Sequence, residues 1–471
     1  MDLDRLFYPE SIAVIGASPN PKSGRLPYYQ VLRGAGYKGR LYPVNPAHQE
    51  IDGVRVYPSV AELPESVDLA IVGVPVERSY ETLESVVDKG IRYVHFFTSG
   101  FSEIGDRALE EAMVRRARQG GTRIVGPNCI GVYCSASRVT FGSRPDHSGT
   151  GEVAFLGQSG GVTLNFMRMA ESRLLRINKA VSYGNQIDLG VDSYIDYFGR
   201  DEDIKVIAAY IEDVKDGRAF LAALAKTTPL KPVVILRGGA TSQGARAAHS
   251  HTGALCGPQP LFAAAVRQRG GLEALTLEQL MDVITLAVSP KCPKGRRIGY
   301  LGGGGGASVL FTDLAARYGF SLPELQPSIQ ERIYERMPRI NTSAANPVDL
   351  GAAGRDLRVM DHVLKAMDGD PGLDAIVAYF PLEFAGVLPR EKVKALTGLI
   401  TTTIGRMRLP VVSVFSTFCD DDLKLEEGRI QVFTDFRQAR LPAYRTLLEA
   451  VEAMDCLLGG VRTRGYVVGI G

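Results

Sequence analysis

Short apolar runs rich in β-branched residues alternate along this chain with amphipathic stretches of about 10 to 15 residues, the rhythm of parallel strands joined by crossover helices. A parallel sheet covered on both faces buries both sides of each strand, so its strands read as unbroken hydrophobic runs. The pattern therefore predicts α/β architecture throughout. In the first stretch, strands fall at 12–15, 41–44, 69–74, 93–97 and 123–125, with helices at 79–89 and 106–118. A second set follows at 153–156, 179–182, 206–211 and 233–236. A third occupies 297–301, 374–379 and 410–415 and closes with a long helical stretch at 436–458. Between 132 and 151 periodicity is lost while Ser, Gly and Pro gather, which reads as a linker or an edge hairpin; SPKCPKGRR at 289–297 is a second break. We expect three doubly wound parallel-sheet domains, at 1–131, at 151–290 after a linker at 132–150, and at 297–471.

Length agrees with this division, since 471 residues at about 150 per domain make three. With 45% hydrophobic and 23% charged residues the composition is that of an ordinary globular protein, which excludes a disordered or fibrous chain. The 54 basic and 52 acidic side chains nearly cancel, which argues against nucleic-acid and membrane partners. Six cysteines lie scattered without a CxxC pair or a histidine at zinc-ligand spacing, so they read as reduced structural thiols and no metal site is expected. The amino terminus lacks a basic-then-apolar leader and no run of 18 clean apolar residues occurs, so a cytoplasmic location is expected.

Candidate chemistry gathers at glycine turns. The first strand ends in Gly16-Ala17-Ser18, with Gly24 ahead of the next helix, at the carboxyl edge where open α/β sheets bind ligands. The spacing departs from GxGxxG, which favours a phosphate-bearing nucleotide over a nicotinamide dinucleotide. The strand at 153–156 runs into Gln158-Ser159-Gly160-Gly161, and the strand at 297–301 into five glycines that include Gly304, Gly305 and Gly306; both precede helices. Unpaired amides and the helix dipole at such ends attract an oxyanion, and two of them could pinch one phosphate, although many such turns are glycine-rich for geometry alone. Two of the six histidines, His249 and His251, fall in AAHSHTGAL, which reads as a loop at a carboxyl strand edge. A metal reading lacks a third ligand; a nucleophilic imidazole beside a phosphate cradle suits the setting better. Such a histidine needs an acceptor on its second nitrogen to fix the tautomer. Glu212, at the end of VIAAYIE, is placed for this, with Asp213 as its rival.

Taken in order, these residues resemble the alpha subunit of NDP-forming acyl-CoA synthetases, relatives of succinyl-CoA synthetase. The likeness rests on SIAVIGAS at 11–18, YPVNP at 42–46, DLAIVGVP at 68–75, GPNCIG at 126–131, QSGG at 158–161, YGNQIDL at 183–189, SHTGAL at 250–255, the glycines at 302–306 and NPVDL at 346–350. It implies a Rossmann-like domain that binds coenzyme A, with Gly16, Ser18, Gly24 and Asn45 around the nucleotide, Val74 and Pro75 on the next strand end, and Asn128 near the thioester. Two flavodoxin-like domains of the succinyl-CoA-synthetase type follow. His251 matches the family's phosphorylated histidine and Glu212 the carboxylate that steadies it. Gln158, Ser159, Gly160 and Gly161, with Gly304, Gly305 and Gly306, match the two phosphate-holding helix ends. Two departures stand out: five consecutive glycines replace a mixed loop, and His249 stands where a small residue is common.

The implied reaction converts acyl-CoA, phosphate and ADP to acid, CoA and ATP through an acyl phosphate and a phosphohistidine, carried on a loop around 239–254 hinged at Gly244 and Gly253. The length leaves no room for an ATP-grasp domain, so ADP with Mg²⁺ is expected on a separate beta subunit in an α2β2 assembly acting on a small carboxylic acid. Tyr183, near the thioester by the same likeness, is a candidate for limiting the acid pocket. Two other classes compete: a non-catalytic sensor of CoA or acyl-CoA, which would not need His251, and a nicotinamide-dependent oxidoreductase, which lacks its fingerprint.

Overall fold

The computed structural model describes residues 2–20, 26–142, 151–252, 257–384, 390–419 and 421–459. Among the described residues three large sheets carry the chain, each with a parallel core in the strand order 2-1-3-4-5 of a doubly wound fold. The first runs Arg40–Val44, Ser11–Ile15, Leu69–Val72, Tyr93–Phe96, Arg123–Val125. The second runs Ile177–Ser182, Val153–Gly157, Val206–Ile211, Val233–Arg237, Leu272–Ala274. The third runs Val348–Asp349, Ile298–Gly302, Ala375–Pro381, Val411–Ser416, Ala443–Tyr444. Leu69–Val72, Val153–Gly157 and Ala375–Pro381 are buried at every position, which is why apolar runs marked them in the sequence. Side-chain caps start several of the crossover helices: Asp106 accepts from the Leu109 amide at 3.1 Å, and Asp216 from the Ala219 amide at 2.9 Å.

The three sheets fall into two compact units, Met1–Leu280 and Met281–Gly471. The stretch expected as a linker or edge hairpin joins the first two sheets. Its first residues form the strand Gly131–Cys134, which pairs antiparallel with Ile177–Ser182, and a Cys134–Val139 bridge makes it a hairpin at the edge of the second sheet. The chain thus leaves the first sheet at Val125 and enters the second six residues later. Buried Asp188 fastens the two sheets further: it accepts from Arg123 Nε at 2.7 Å, Arg118 Nε at 3.1 Å and the Ile124 amide at 3.0 Å.

Two more expectations change. AAHSHTGAL was expected as a loop, yet Ser242–Thr252 is a helix, started by the Thr241 hydroxyl accepting from the Gly244 amide at 3.0 Å. Its sequence lacks an apolar stripe, and alanines rather than packing favour the helix. The hinge expected at Gly244 therefore lies inside that helix, whereas Gly253 lies outside the described residues. The closing stretch at 436–458 is not one helix. Leu423–Gln438 ends before Arg440, at φ 59°, then Ala443–Tyr444 joins the third sheet, and a Thr446–Glu449 capping box starts Leu447–Leu457.

Candidate functional site

In the first unit, a cavity of about 990 Å³ opens at the carboxyl ends of the strands. In a sheet of order 2-1-3-4-5 the chain reverses direction between the first and third strands, and the crevice falls there. Gly16 and Gly73 end those strands. Gly16 has φ +90°, and a Cβ on it would lie 2.9 Å from the Gly73 carbonyl oxygen, so the position demands glycine twice over. The turn beyond it is held from outside: Asn45 Nδ2 donates to the Ala17 carbonyl at 2.7 Å and Gln30 Nε2 to the Ser18 carbonyl at 2.8 Å. Asn45 thus shapes the turn as well as lining the cavity, along with Ser18, Val74 and Pro75. Gly24 lies outside the described residues.

The loop after Arg123–Val125 forms the next wall. Asn128, at φ 56°, donates its backbone amide to the Thr98 carbonyl at 2.9 Å and its Nδ2 to Asn185 Oδ1 at 3.4 Å. His95 and Tyr28 support the loop from beneath. The fully buried His95 ring bonds the Cys129 carbonyl through Nε2 at 3.0 Å; Tyr28, packed edge-on against that ring, donates to the Ile130 carbonyl at 3.1 Å. Burial lowers the His95 imidazole to about 4 and raises the Cys129 thiol to about 12, so both are neutral near pH 7 and the thiol is a poor nucleophile.

Opposite stands the amino-terminal end of helix Gly160–Ser172, entered from Val153–Gly157. Ser159 caps it, its Oγ accepting from the Val162 amide at 3.4 Å, and Ser159, Gly160 and Gly161 line the cavity. Gln158 has a different task from its neighbours. Its Oε1 accepts from the Glu212 amide at 2.8 Å and the Asp213 amide at 3.1 Å, while Nε2 donates to Asp213 Oδ1 at 2.6 Å. The side chain is a strut that ties the helix entrance to the end of Val206–Ile211.

That strut separates the two rival carboxylates. Asp213 is engaged by Gln158, by Gln186 Nε2 at 2.7 Å and by Lys215 at 2.9 Å. Glu212 is buried, and its Oε1 accepts from the Tyr210 hydroxyl at 3.1 Å. It lies behind the cavity wall rather than on it. Gly238 makes room for it: a Cβ there would lie 2.5 Å from the Tyr210 hydroxyl and 3.0 Å from Glu212 Cγ. His251 occupies the last turn of helix Ser242–Thr252, which packs against the short helical turn Ser102–Ile104 of the first sheet's domain; the His251 side chain lies outside the described residues. Tyr183 does not line the cavity. It is fully buried and its hydroxyl donates to the Tyr210 carbonyl at 3.3 Å, so it cannot set the pocket's size directly.

In the second unit, Gly304 and Gly305 open helix Gly305–Arg317 with Gly306 in its first turn. A carboxylate already sits on this turn: Asp349 Oδ1 accepts from the Gly304 amide at 2.8 Å and the Gly351 amide at 2.9 Å.

Ten of the expected residues therefore share one cavity: Gly16, Ser18, Asn45, Val74, Pro75 and Asn128 with Gln158, Ser159, Gly160 and Gly161. Sequence reasoning missed Tyr28, His95, Ile130 and Gly238. A histidine inside the apolar strand YVHF and the double glycine of ILRGG were the available signals.

A cleft at the switch point of one doubly wound sheet, with a helix amino terminus of a second sheet on its far wall, places the chain among the doubly wound α/β proteins that bind a phosphate-bearing ligand at the strand ends. Family models agree, matching a CoA binding domain at 10–135 and a succinyl-CoA ligase like flavodoxin domain at 150–287. The alpha subunit of ADP-forming acetate–CoA ligase II from Pyrococcus furiosus is 34% identical over 84% of this chain and 86% of its own length. The ADP-forming acetate–CoA ligase of Methanocaldococcus jannaschii is 33% identical over 74% of this chain but only 49% of its own. Among solved structures, the dinucleotide forming acetyl-coenzyme A synthetase 1 of Ca. Korarchaeum cryptofilum, in complex with phosphate and ADP, superposes with a TM-score of 0.85 at 30% identity, covering 97% of this chain and 96% of that one. The chain belongs to the family of ADP-forming acyl-CoA synthetases, where it aligns with the alpha subunits.

Proposed function

We propose that this chain carries the acyl-transfer and phosphohistidine half of the reaction acyl-CoA + phosphate + ADP to acid + CoA + ATP. The carrying observation is the single cavity that joins the Gly16–Ser18 turn to the Ser159 helix end. Coenzyme A lies along the first, with Gly16, Ser18, Gly24, Asn45, Val74 and Pro75 around it and Asn128 toward the thioester; phosphate lies at the amides of Ser159, Gly160 and Gly161. A phosphate oxygen attacks the thioester carbonyl carbon; the C–O bond forms, the C–S bond breaks, and the CoA sulfur leaves and takes up the proton. A ring nitrogen of His251 then attacks phosphorus, the N–P bond forms, and the acid leaves as its carboxylate. Glu212 accepts from the other ring nitrogen and holds the tautomer that the attack requires. Phosphohistidine finally gives its phosphoryl group to a terminal oxygen of ADP, and every step is reversible.

ADP and Mg²⁺ are assigned to an ATP-grasp beta subunit in an α2β2 assembly. Among the described residues no three His, Cys, Asp or Glu side chains are grouped to hold a metal. The half-length match to the Methanocaldococcus jannaschii enzyme supports a partner that supplies the remainder. Gly304, Gly305 and Gly306 are proposed as further phosphate contacts. Among the described residues no helix is long and apolar enough to cross a membrane.

The test incubates the chain with its partner subunit, acyl-CoA and labelled phosphate without nucleotide. Acid-labile, base-stable label is expected, absent in His251→Ala and formed at least about a hundredfold more slowly in Glu212→Gln. Label that persists in His251→Ala refutes the assignment.

A further inference from the structure

Resting on the ligase reading above, we propose that Ile130 is the wall the acyl chain meets and thereby sets the size of the acid accepted. In an acyl phosphate one oxygen joins the carbonyl carbon to phosphorus, so the acyl chain begins where the phosphate cradle ends. The surface facing the cradle is the loop at 127–131. Of its side chains on the cavity, Asn128 is turned to Asn185, and the Cys129 sulfur faces the Phe96 carbonyl at 3.7 Å. Ile130 is the aliphatic side chain that faces the helix end: its Cγ2 lies 3.1 Å from the point a Cβ on Gly160 would occupy.

Its backbone is pinned on both sides. The Ile130 amide donates to Ser182 Oγ at 3.3 Å, and its carbonyl accepts from the Tyr28 hydroxyl at 3.1 Å. A wall held in this way cannot retreat from a bulkier substrate by moving its main chain, so the γ- and δ-carbons of Ile130 define the limit. The neighbouring wall residues Phe97, Thr98 and Ser99 carry no charge. Truncating Ile130 opens space next to the reacting carbon without touching the coenzyme turn, the strut at Gln158 or Glu212.

One methylene in an apolar pocket changes discrimination by about 10- to 200-fold. The experiment compares kcat/KM for acetate, propionate, isovalerate and phenylacetate in the assembled enzyme, for wild type, Ile130→Val and Ile130→Ala. The ratio of isovalerate to acetate is expected to rise about tenfold or more in Ile130→Ala and by less, in the same direction, in Ile130→Val. CoA affinity is measured alongside to show that the cavity is intact. Should Ile130→Ala fail to fold, Ile130→Val, one methyl smaller, decides by the sign of its shift. Active variants whose ratios stay within about twofold of wild type overturn the assignment of Ile130. A wild-type enzyme inactive with every acid overturns the ligase reading instead, and this inference with it.

Discussion

Replacing His95 by glutamine removes one titration from the core while keeping an N–H donor for the loop that walls the cavity. The Cys129 carbonyl can only accept, so the neutral ring carries its proton on Nε2. Burial, opposed in part by that hydrogen bond, lowers the imidazole from 6.5 to about 4. Above 6.5 neither state is protonated there and the native contribution is complete. Between 6.5 and about 4 the unfolded chain holds the extra proton, so stability falls as pH is lowered. A gap of about 2.5 pH units at about 1.4 kcal/mol each amounts to about 3 kcal/mol lost on going from pH 7 to pH 4. Urea unfolding of wild type and His95→Gln across that range should therefore give free energies whose difference drifts by about 3 kcal/mol in favour of the variant as pH falls. The imidazole resonance lost in the variant should not titrate above about pH 5 in the folded wild type. Parallel stability curves, or a His95 resonance titrating near its ordinary value, would refute the reasoning.

Two further substitutions test the framework around the site. Gly16→Ala places a Cβ 2.9 Å from the Gly73 carbonyl at φ +90°, and should weaken CoA binding by about tenfold or more in calorimetric titration; an unchanged Kd would remove the turn from the coenzyme site. Asp188→Asn leaves Arg123 without its buried carboxylate partner, a loss of about 3 kcal/mol, and should lower Tm by several degrees. A Tm within about one degree of wild type would show that this contact does not fasten the two sheets of the first unit.

Much of the fold was legible because parallel strands buried on both faces announce themselves locally: Val206–Ile211 has the bounds its apolar run predicted, and each of the other predicted strands lies within two residues of its expected ends. The same logic failed to choose for Gly131–Cys134, which read as part of a linker or an edge hairpin until its pairing with Ile177–Ser182 made it the hairpin. It failed again for Ser242–Thr252, a helix that buries little and so leaves no apolar stripe to read. At the candidate site, the strand-end positions of Gly16, Ser159 and Glu212 were legible because a turn after a strand puts its residues at a sheet edge whatever the rest of the chain does.

By itself, then, the sequence determined three doubly wound sheets, the glycine turns at their carboxyl edges and the family to which their succession belongs, all features carried by neighbours along the chain. Tertiary structure alone decided that the first two sheets share a unit and open onto one cavity, that the Gln158 side chain ties the helix entrance to Glu212 and Asp213, and that His95 and Tyr28 hold the loop that carries Ile130 into the cavity wall. Those residues come from segments up to about a hundred positions apart, and no local pattern records which side chain will bury against which. That is settled by the packing of close-fitting surfaces, where a single carbonyl or a missing Cβ determines what fits.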